Sequence, residues 1–121
     1  MSVFEEQPIS NVVWILASEL DPNDYNPNRV LTDEFRILAL NIQRFGWIQP
    51  ILINKNNIII DGFHRWKLAQ DSKELYKMFS GRVPCVVMDL DDREAMLLTI
   101  RINRAKGCLL YTSDAADDLL C

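Results

Sequence analysis

Apolar and polar positions follow two different periods along the chain, which predict strands and helices in succession. Short apolar runs rich in valine and isoleucine are typical of strands. Two of these runs are separated by Asn54-Lys55-Asn56-Asn57, which indicates a hairpin or a tight turn between paired strands. The predicted strands cover residues 12–17, 50–54, 57–61 and 83–90.

The first helical pattern begins at Thr32 or Asp33 and ends at Phe45. Its apolar residues recur at spacings of three, four and three, which predicts one face packed on the core. Gly46 follows directly and is typical of the residue that ends a helix. The predicted core face consists of Phe35, Leu38, Ile42 and Phe45.

Two further helices are predicted after the hairpin. Residues 63–79 have helical composition, and Asp91-Asp92-Arg93-Glu94 is typical of a capped helix start. The last helix is predicted to reach Lys106 and to end at Gly107. Three cations then fall near its end, where favourable helix electrostatics is the preferred interpretation and contact with a nucleotide or DNA is the alternative. These cations are Arg101, Arg104 and Lys106.

This order of elements predicts a small α+β domain, close to α/β, in which about three helices pack on a mixed sheet of about four short strands. Residues 1–107 contain no internal repeat and no linker, so we interpret them as one domain. The chain of 121 residues is 49% hydrophobic and 25% charged, which is typical of globular proteins. Its longest apolar run is far shorter than the roughly 20 residues that span a bilayer, and its acidic start is unlike a signal peptide. We therefore expect a cytoplasmic protein without a membrane partner.

Residues 108–121 differ in character from the rest of the chain. Most of this segment matches the translation of a transposase-based sequencing adapter, so we expect an artefactual tail that is irregular or disordered, and a natural protein that continues beyond Gly107. Without the tail, the chain contains 14 acidic and 13 basic residues, and this near balance gives no bias for or against binding nucleic acid. Two of the three cysteines also lie in the tail. The remaining one, Cys85, lies in an apolar run and is predicted to be a buried structural thiol.

The segment most indicative of chemistry is residues 58–67, where an apolar strand leads through Gly62 into a helix. The N-terminus of a helix offers free N–H groups and a positive dipole end, both of which favour anions. His64, Arg65 and Lys67 lie in the first turns, although cations there are disfavoured by several tenths of a kcal/mol each. A choice that costs stability indicates a functional site, and phosphate is the natural ligand. Solvated side chains on an exposed helix are the alternative.

The same residues carry a family resemblance. Ile59-Ile60-Asp61-Gly62-Phe63-His64-Arg65-Trp66-Lys67-Leu68-Ala69, preceded by Gln49-Pro50-Ile51-Leu52-Ile53, resembles the N-terminal domain of the ParB/sulfiredoxin superfamily. An Asn-Pro loop at residues 25–29, the segment Phe45-Gly46-Trp47-Ile48-Gln49-Pro50 and a late Asn103-Arg104 add to the likeness. The resemblance covers residues 12–107.

The resemblance implies a nucleoside triphosphate cofactor, CTP or ATP, with or without Mg²⁺. In ParB partition proteins the related Gly-Glu-Arg-Arg segment cradles the triphosphate of CTP, and in sulfiredoxins Gly-Cys-His-Arg binds ATP. No metal-ligating residue is assigned in this chain. The residues that the resemblance places at the nucleotide are Gly62, Phe63, His64, Arg65, Gln49, Asn103 and Arg104.

Two departures from the family bear on activity. Phe63 stands where sulfiredoxins have their cysteine, and a phenyl ring cannot act as a thiol nucleophile, so sulfiredoxin activity is excluded. Ile102 stands before Asn103 where ParB proteins have an acid, which removes a Mg²⁺ ligand and predicts slow or absent hydrolysis. If the protein is an enzyme instead, the candidate bases are Glu19 and Asp61.

The resemblance thus implies a ParB-like nucleotide-binding domain from a phage-encoded or mobile-element protein of the partition type. Its implied partners are the nucleotide, DNA through a missing downstream region, and a second copy in a homodimer. One alternative is a small nucleotide-dependent enzyme, related to free-serine kinases or to ParB-like nucleases, and another is a degenerate dimerisation domain. Trp47 and Trp66 could stack on a base, but we predict that both belong to the core.

Overall fold

The computed structural model describes residues 3–22 and 32–111, with the side chains of residues 33–105 in the second segment. Two 3₁₀ turns, Pro8–Ser10 and Ala17–Glu19, flank the first strand. The predicted Asn-Pro loop at residues 25–29 lies outside the described residues. The strands and helices are β1 (Val12–Leu16), α1 (Thr32–Phe45), β2 (Ile51–Asn54), β3 (Ile59–Asp61), α2 (Phe63–Asp71), α3 (Lys73–Met78), β4 (Arg82–Met88) and α4 (Asp92–Tyr111).

The four strands form one mixed sheet in the order β1-β4-β2-β3. β4 runs antiparallel to β1 and parallel to β2, while β2 and β3 form an antiparallel hairpin. The predicted α+β fold with a mixed sheet of about four short strands is confirmed. Cys85 of the central strand is fully buried, as predicted, and burial raises the pKa of its thiol to about 12. This cysteine is therefore a core residue and not a reactive one.

The hairpin turn is held by a buried amide. The side-chain oxygen of Asn54 accepts hydrogen bonds from the backbone N–H groups of Asn56 and Ile58, each at 2.9 Å. Its Nδ2 donates to Oδ1 of Asp92 at the start of α4, also at 2.9 Å. The predicted turn at residues 54–57 is confirmed, and the structure adds its connection to the last helix.

The predicted core face of α1 is only partly correct. Ile42 is buried and packs with the half-buried Phe35 and Leu38, but Phe45 is 63% exposed. The chain leaves the helix at Gly46, whose φ of +84° turns the backbone away, and Trp47 then packs against the core instead. Phe45 instead lies under the guanidinium of the neighbouring Arg44, 5.2 Å from its ring centre.

The prediction of one helix over residues 63–79 is wrong, because the chain forms two shorter helices there, which gives four α-helices among the described residues. Ser72 has extended backbone angles and interrupts the run. Its hydroxyl accepts a hydrogen bond from the N–H of Leu75 at 3.3 Å and so caps α3. Satisfying the orphan donors of a new helix start compensates for the break.

The start of α4 agrees with its prediction, whereas its end does not. Asp91 Oδ1 accepts from the N–H of Glu94 at 2.8 Å, and the Glu94 carboxylate accepts from the N–H of Asp91 at 3.3 Å, which is a reciprocal capping box. The helix continues through Gly107 to Tyr111. The cations near residue 104 are therefore not in its last turn, and residues 112–121 of the predicted tail lie outside the described residues. Neither this helix nor any other described one is long and apolar enough to cross a bilayer.

Candidate functional site

The centre of the site is the turn at Gly62, where β3 ends and α2 begins. Gly62 has φ +95° and ψ 21°, in the left-handed region that glycine adopts readily. Among the described residues no side chain caps α2, and its first turn contains no acid. A helix start with glycine at its cap and no acid in its first turn is typical of an anion-binding site.

The space around Gly62 is as restrictive as its backbone angle. A Cβ at this position would lie 3.1 Å from Nη2 of Arg65 and 3.2 and 3.3 Å from Cγ1 and Cα of Ile51. The Ile51 backbone belongs to the core strand β2 and cannot move aside. The turn therefore brings the Arg65 guanidinium directly against the backbone at the helix start.

Arg65 is held in place by the segment that precedes β2. Its Nη1 donates to the side-chain oxygen of Gln49 at 3.0 Å, and its Nη2 donates to the carbonyl of Pro50 at 3.4 Å. Desolvation by burial lowers the pKa of Arg65, and the nearby carboxylate of Asp61 partly opposes that effect. Nε of Arg65 is buried and has no hydrogen-bond partner among the described residues. The site thus contains a half-buried cation, and one of its N–H donors has no described acceptor.

A cleft of about 220 Å³ opens beside Arg65. Trp47 lines it, and the indole N–H of this residue is buried without a hydrogen-bond partner in the described part of the chain. Trp66 packs on the core and donates its indole N–H to the carbonyl of Ala17 at 2.7 Å. The prediction that both tryptophans belong to the core is confirmed. The lining consists of Leu38, Asn41, Ile42, Gly46, Trp47, Ile48, Gln49 and Arg65.

His64 and Phe63 form an aromatic group next to the turn. The imidazole makes edge-to-face contacts with Phe35 of α1, at 5.9 Å between ring centres, and with Phe63, at 5.6 Å. The Phe63 ring also lies 5.5 Å from that of Trp66. These contacts fix both rings at the start of α2 and connect α1 to the site.

The other predicted site residues occupy different places. Asn103 is half-buried and Arg104 exposed on α4, which packs against β2 and β3. The side chain of Glu19 is exposed, and its backbone carbonyl accepts from Nδ2 of Asn57 in the hairpin turn, at the opposite end of β3 from Gly62. Asp61 ends β3 immediately before the turn. The structure therefore joins Gly62, Arg65 and Gln49 by direct contacts, with Asp61 beside them.

Sequence reasoning missed the Pro50 carbonyl and the cleft side chains of α1 as parts of the site. Gln49-Pro50 was part of the resemblance, but nothing in the sequence indicates that its atoms meet Arg65, because that contact depends on how β2 lies beside α2. Within the described ranges, no group of three or more His, Cys, Asp or Glu side chains could hold a metal ion.

Residues 3–103 match the ParB N-terminal domain family. The chain is 38% identical over 111 residues to the uncharacterized protein YbdM of Escherichia coli, covering 88% of this chain and 53% of YbdM. It is 30% identical over 108 residues to the probable chromosome-partitioning protein ParB of Rickettsia conorii, covering 88% of this chain and 36% of that protein. The chain thus spans about half of the first relative and about a third of the second.

Two solved structures have the same fold. C-terminally truncated ParB from Caulobacter crescentus, complexed with CTP-gamma-S, has 25% sequence identity and a TM-score of 0.59, over 77% of this chain and 52% of that one. A pNOB8-like ParB N-domain has a TM-score of 0.58 at 17% identity, over 77% and 37% of the two chains, and shows the fold alone. The family match, the relatives and the fold agree, and the chain belongs to the ParB N-terminal domain family.

Proposed function

We propose that this domain binds the phosphates of a nucleoside triphosphate, CTP or ATP, at the turn from Gly62 to Arg65. The observation that carries the proposal is the start of α2 at a left-handed glycine without a described capping side chain, with the Arg65 guanidinium against it. Anions bind at such helix ends because free N–H groups and the helix dipole act together. An arginine adds charge-assisted hydrogen bonds to phosphate oxygens.

Each residue of the turn has a separate role in this proposal. Gly62 allows phosphate oxygens to approach the backbone, and the N–H groups of Phe63 and His64 donate to them. Arg65 supplies positive charge and, through its buried Nε, a donor that lacks a partner in the described chain. Gln49 holds the guanidinium from the other side. Asn103 and Arg104 of α4 are proposed as further contacts.

The relatives support the choice of ligand. The Caulobacter protein is complexed with CTP-gamma-S. Gly62 and Arg65 match the first and last positions of the Gly-Glu-Arg-Arg pattern of ParB proteins, and His64 stands where that pattern has its first arginine. Mg²⁺ bound to the nucleotide would neutralise part of the phosphate charge. DNA contact, a partition-type role and dimerisation are further proposals by analogy with these relatives, of which the chain covers only part.

We expect binding without rapid turnover. Efficient phosphoryl transfer needs positioned charge together with a residue that orients the nucleophile. Asp61 lies near the Arg65 guanidinium, and its charge partly opposes the lowering of the Arg65 pKa by burial. Ile102 leaves the site without the acid that ParB proteins have before their asparagine. The alternative enzyme function would depend on Glu19 or Asp61 as its base.

Thermal unfolding with a panel of CTP, ATP, GTP, UTP and inorganic phosphate tests the proposal. A ligand at 100 times its dissociation constant should stabilise the fold by about 2.7 kcal/mol. Arg65→Ala should abolish this stabilisation. Lys67→Ala is the matched control, because Lys67 is a cation of the same helix that is exposed and paired with Asp71 at 3.5 Å. No response to any nucleotide, or equal loss in both variants, would contradict the proposal.

Phosphate release measured on the same proteins separates binding from catalysis. The unmodified domain should release phosphate slowly or not at all, and Ile102→Glu should increase Mg²⁺-dependent release. Rapid turnover, with loss of activity in Glu19→Gln or Asp61→Asn, would establish an enzyme instead. Transfer of phosphate to a hydroxyl acceptor such as serine would then identify the reaction class.

A further inference from the structure

The outer edge of the sheet at β1 has the features of a binding surface. In the described part of the chain β1 pairs with β4 on one side, which leaves the backbone N–H and C=O groups of its other edge without a strand partner. Val12, Val13 and Trp14 are 43, 44 and 47% exposed. Successive side chains of a strand point to opposite faces, so apolar surface borders this edge on both sides of the sheet.

The edge lacks the usual protection against pairing. Proteins that keep an edge strand free commonly place a lysine, a proline or a bulge in it. The strand sequence Val-Val-Trp-Ile-Leu contains neither lysine nor proline, and its pairing with β4 runs without a bulge from Val12 to Leu16. An unprotected apolar edge of this kind favours the addition of another strand.

The charges around β1 indicate which strand would fit. Residues 3–22 contain four acids and no lysine or arginine, and all four acids are exposed. Arg82 is paired with Leu16 from the β4 side, away from the open edge. An antiparallel second copy would bring the acids before one strand towards the acids after the other, which costs energy. The four acids are Glu5, Glu6, Glu19 and Asp21.

We propose that the β1 edge binds an extended segment of a partner protein that is apolar in its centre and flanked by lysine or arginine. The backbone of this segment pairs with the open edge as a fifth strand. Its apolar side chains cover Val12, Val13 and Trp14, and its basic flanks face the acids on either side of the strand. This surface does not involve the Gly62 turn, so the inference is independent of nucleotide binding.

Fluorescence anisotropy with a labelled probe peptide tests this proposal on the full chain. The probe has alternating valine and threonine in its centre and a pair of lysines at each end. We expect it to bind at least about tenfold more tightly than the same peptide with glutamate pairs, a difference of about 1.4 kcal/mol. This preference should weaken as salt is added, because the flanking charges are exposed. A probe whose backbone is N-methylated at the residues that would donate hydrogen bonds to β1 should not bind.

Two protein variants locate the binding. Val12→Lys places a protective charge on the edge and should reduce probe affinity at least about tenfold. Leu97→Lys is the matched control, because Leu97 is also 43% exposed but lies on α4, and it should leave affinity unchanged. The double variant Glu5→Gln and Glu6→Gln should lower the affinity for the lysine probe, because it removes two of the acids that face the basic flanks. The contacts of the central valines with β1 should remain.

Three results would overturn the proposal. The lysine and glutamate probes could bind equally or not at all, or Val12→Lys could bind the lysine probe like the unmodified protein. Alternatively, sedimentation could show a dimer that Val12→Lys dissociates, in which case the edge is occupied by a second copy of this chain.

Discussion

The helices α2 and α4 begin in opposite ways, although each of them follows a strand of the sheet. The start of α4 has an acid at its cap, a reciprocal hydrogen bond between Asp91 and Glu94, and the Asp92 carboxylate beside it. The start of α2 has Gly62, no described side-chain cap and no acid in its first turn. Acids are stabilising at a helix start and cations are not, so α4 follows the stabilising rule and α2 departs from it.

Under the proposed function, this difference is a trade of helix stability at α2 for phosphate binding. At α4 the polar groups satisfy one another, and the same region fixes the hairpin turn through Asn54. At α2 the cap residue Gly62 has no side chain that could accept a hydrogen bond, and Nε of Arg65 has no described partner. A site for an anion needs donors that remain available until the ligand arrives, and among the described residues Nε of Arg65 meets that condition.

The largest expected effect is at the Gly62 turn itself. Gly62→Ala should lower the free energy of unfolding by about 2–3 kcal/mol, because the left-handed backbone and the contacts with Ile51 both oppose a Cβ. The same change should abolish nucleotide binding by moving Arg65. Urea unfolding and calorimetric titration with CTP measure the two effects.

Gly46→Ala is the matched control for this prediction. Gly46 also has a positive φ, +84°, but a Cβ there would meet no atom within 4 Å. Only the backbone penalty of about 1–2 kcal/mol should remain. The interpretation of Gly62 fails if Gly46→Ala destabilises the domain as much as Gly62→Ala does.

A smaller effect is expected at the opposite helix start. Asp91→Ala removes the acceptor for the Glu94 N–H and should cost about 1 kcal/mol of stability, as helix caps usually do. Nucleotide affinity should stay unchanged, because the capping residues of α4 hydrogen-bond the helix backbone and do not take part in the proposed site. Loss of CTP binding in a folded Asp91→Ala protein would show that the two helix starts are not separate in function.

The smallest expected effect is a pH dependence at Asp92. Hydrogen bonds from Asn56 and then Asn54 hold the pKa of this carboxyl below its ordinary value of 3.8. Because the folded pKa is the lower one, the carboxylate stabilises the fold at pH values above 3.8, and this contribution is lost as the pH falls through the folded pKa. The stability advantage of the unmodified protein over Asp92→Asn should therefore shrink on acidification. Urea unfolding of both proteins at a series of falling pH values measures the difference in their free energies of unfolding. A difference that does not change with pH would contradict the assignment.

Local signals in the sequence were sufficient for most of the fold. The strand, glycine and helix around Gly62 and the capped start of α4 follow from neighbouring residues, and both agree with the structure. The Ser72 break carried a local signal as well, a serine two positions before Glu74, which the helical composition outweighed. Gly107 was predicted to end α4, but a glycine inside a helix costs only about 1 kcal/mol and is tolerated.

The site was less accessible to sequence reasoning because its contacts are distant along the chain. The hydrogen bond between Gln49 and Arg65 joins residues that are 16 positions apart. Whether they meet depends on the packing of β2 against α2, which no periodicity encodes. The exposure of Phe45 has the same origin, since Gly46 redirects the chain and leaves the core position to Trp47.

The most direct test of the contrast between the two helix starts is a titration of ¹⁵N-labelled protein with CTP and with ATP, followed by amide chemical shifts. Binding at the Gly62 turn should shift the backbone amides of residues 62–65 most strongly, and the amides of residues 92–95 should remain in place. Arg65→Ala should remove the shifts. Saturable binding that shifts the α4 start, or the absence of any shift at residues 62–65 with either nucleotide, would contradict the account.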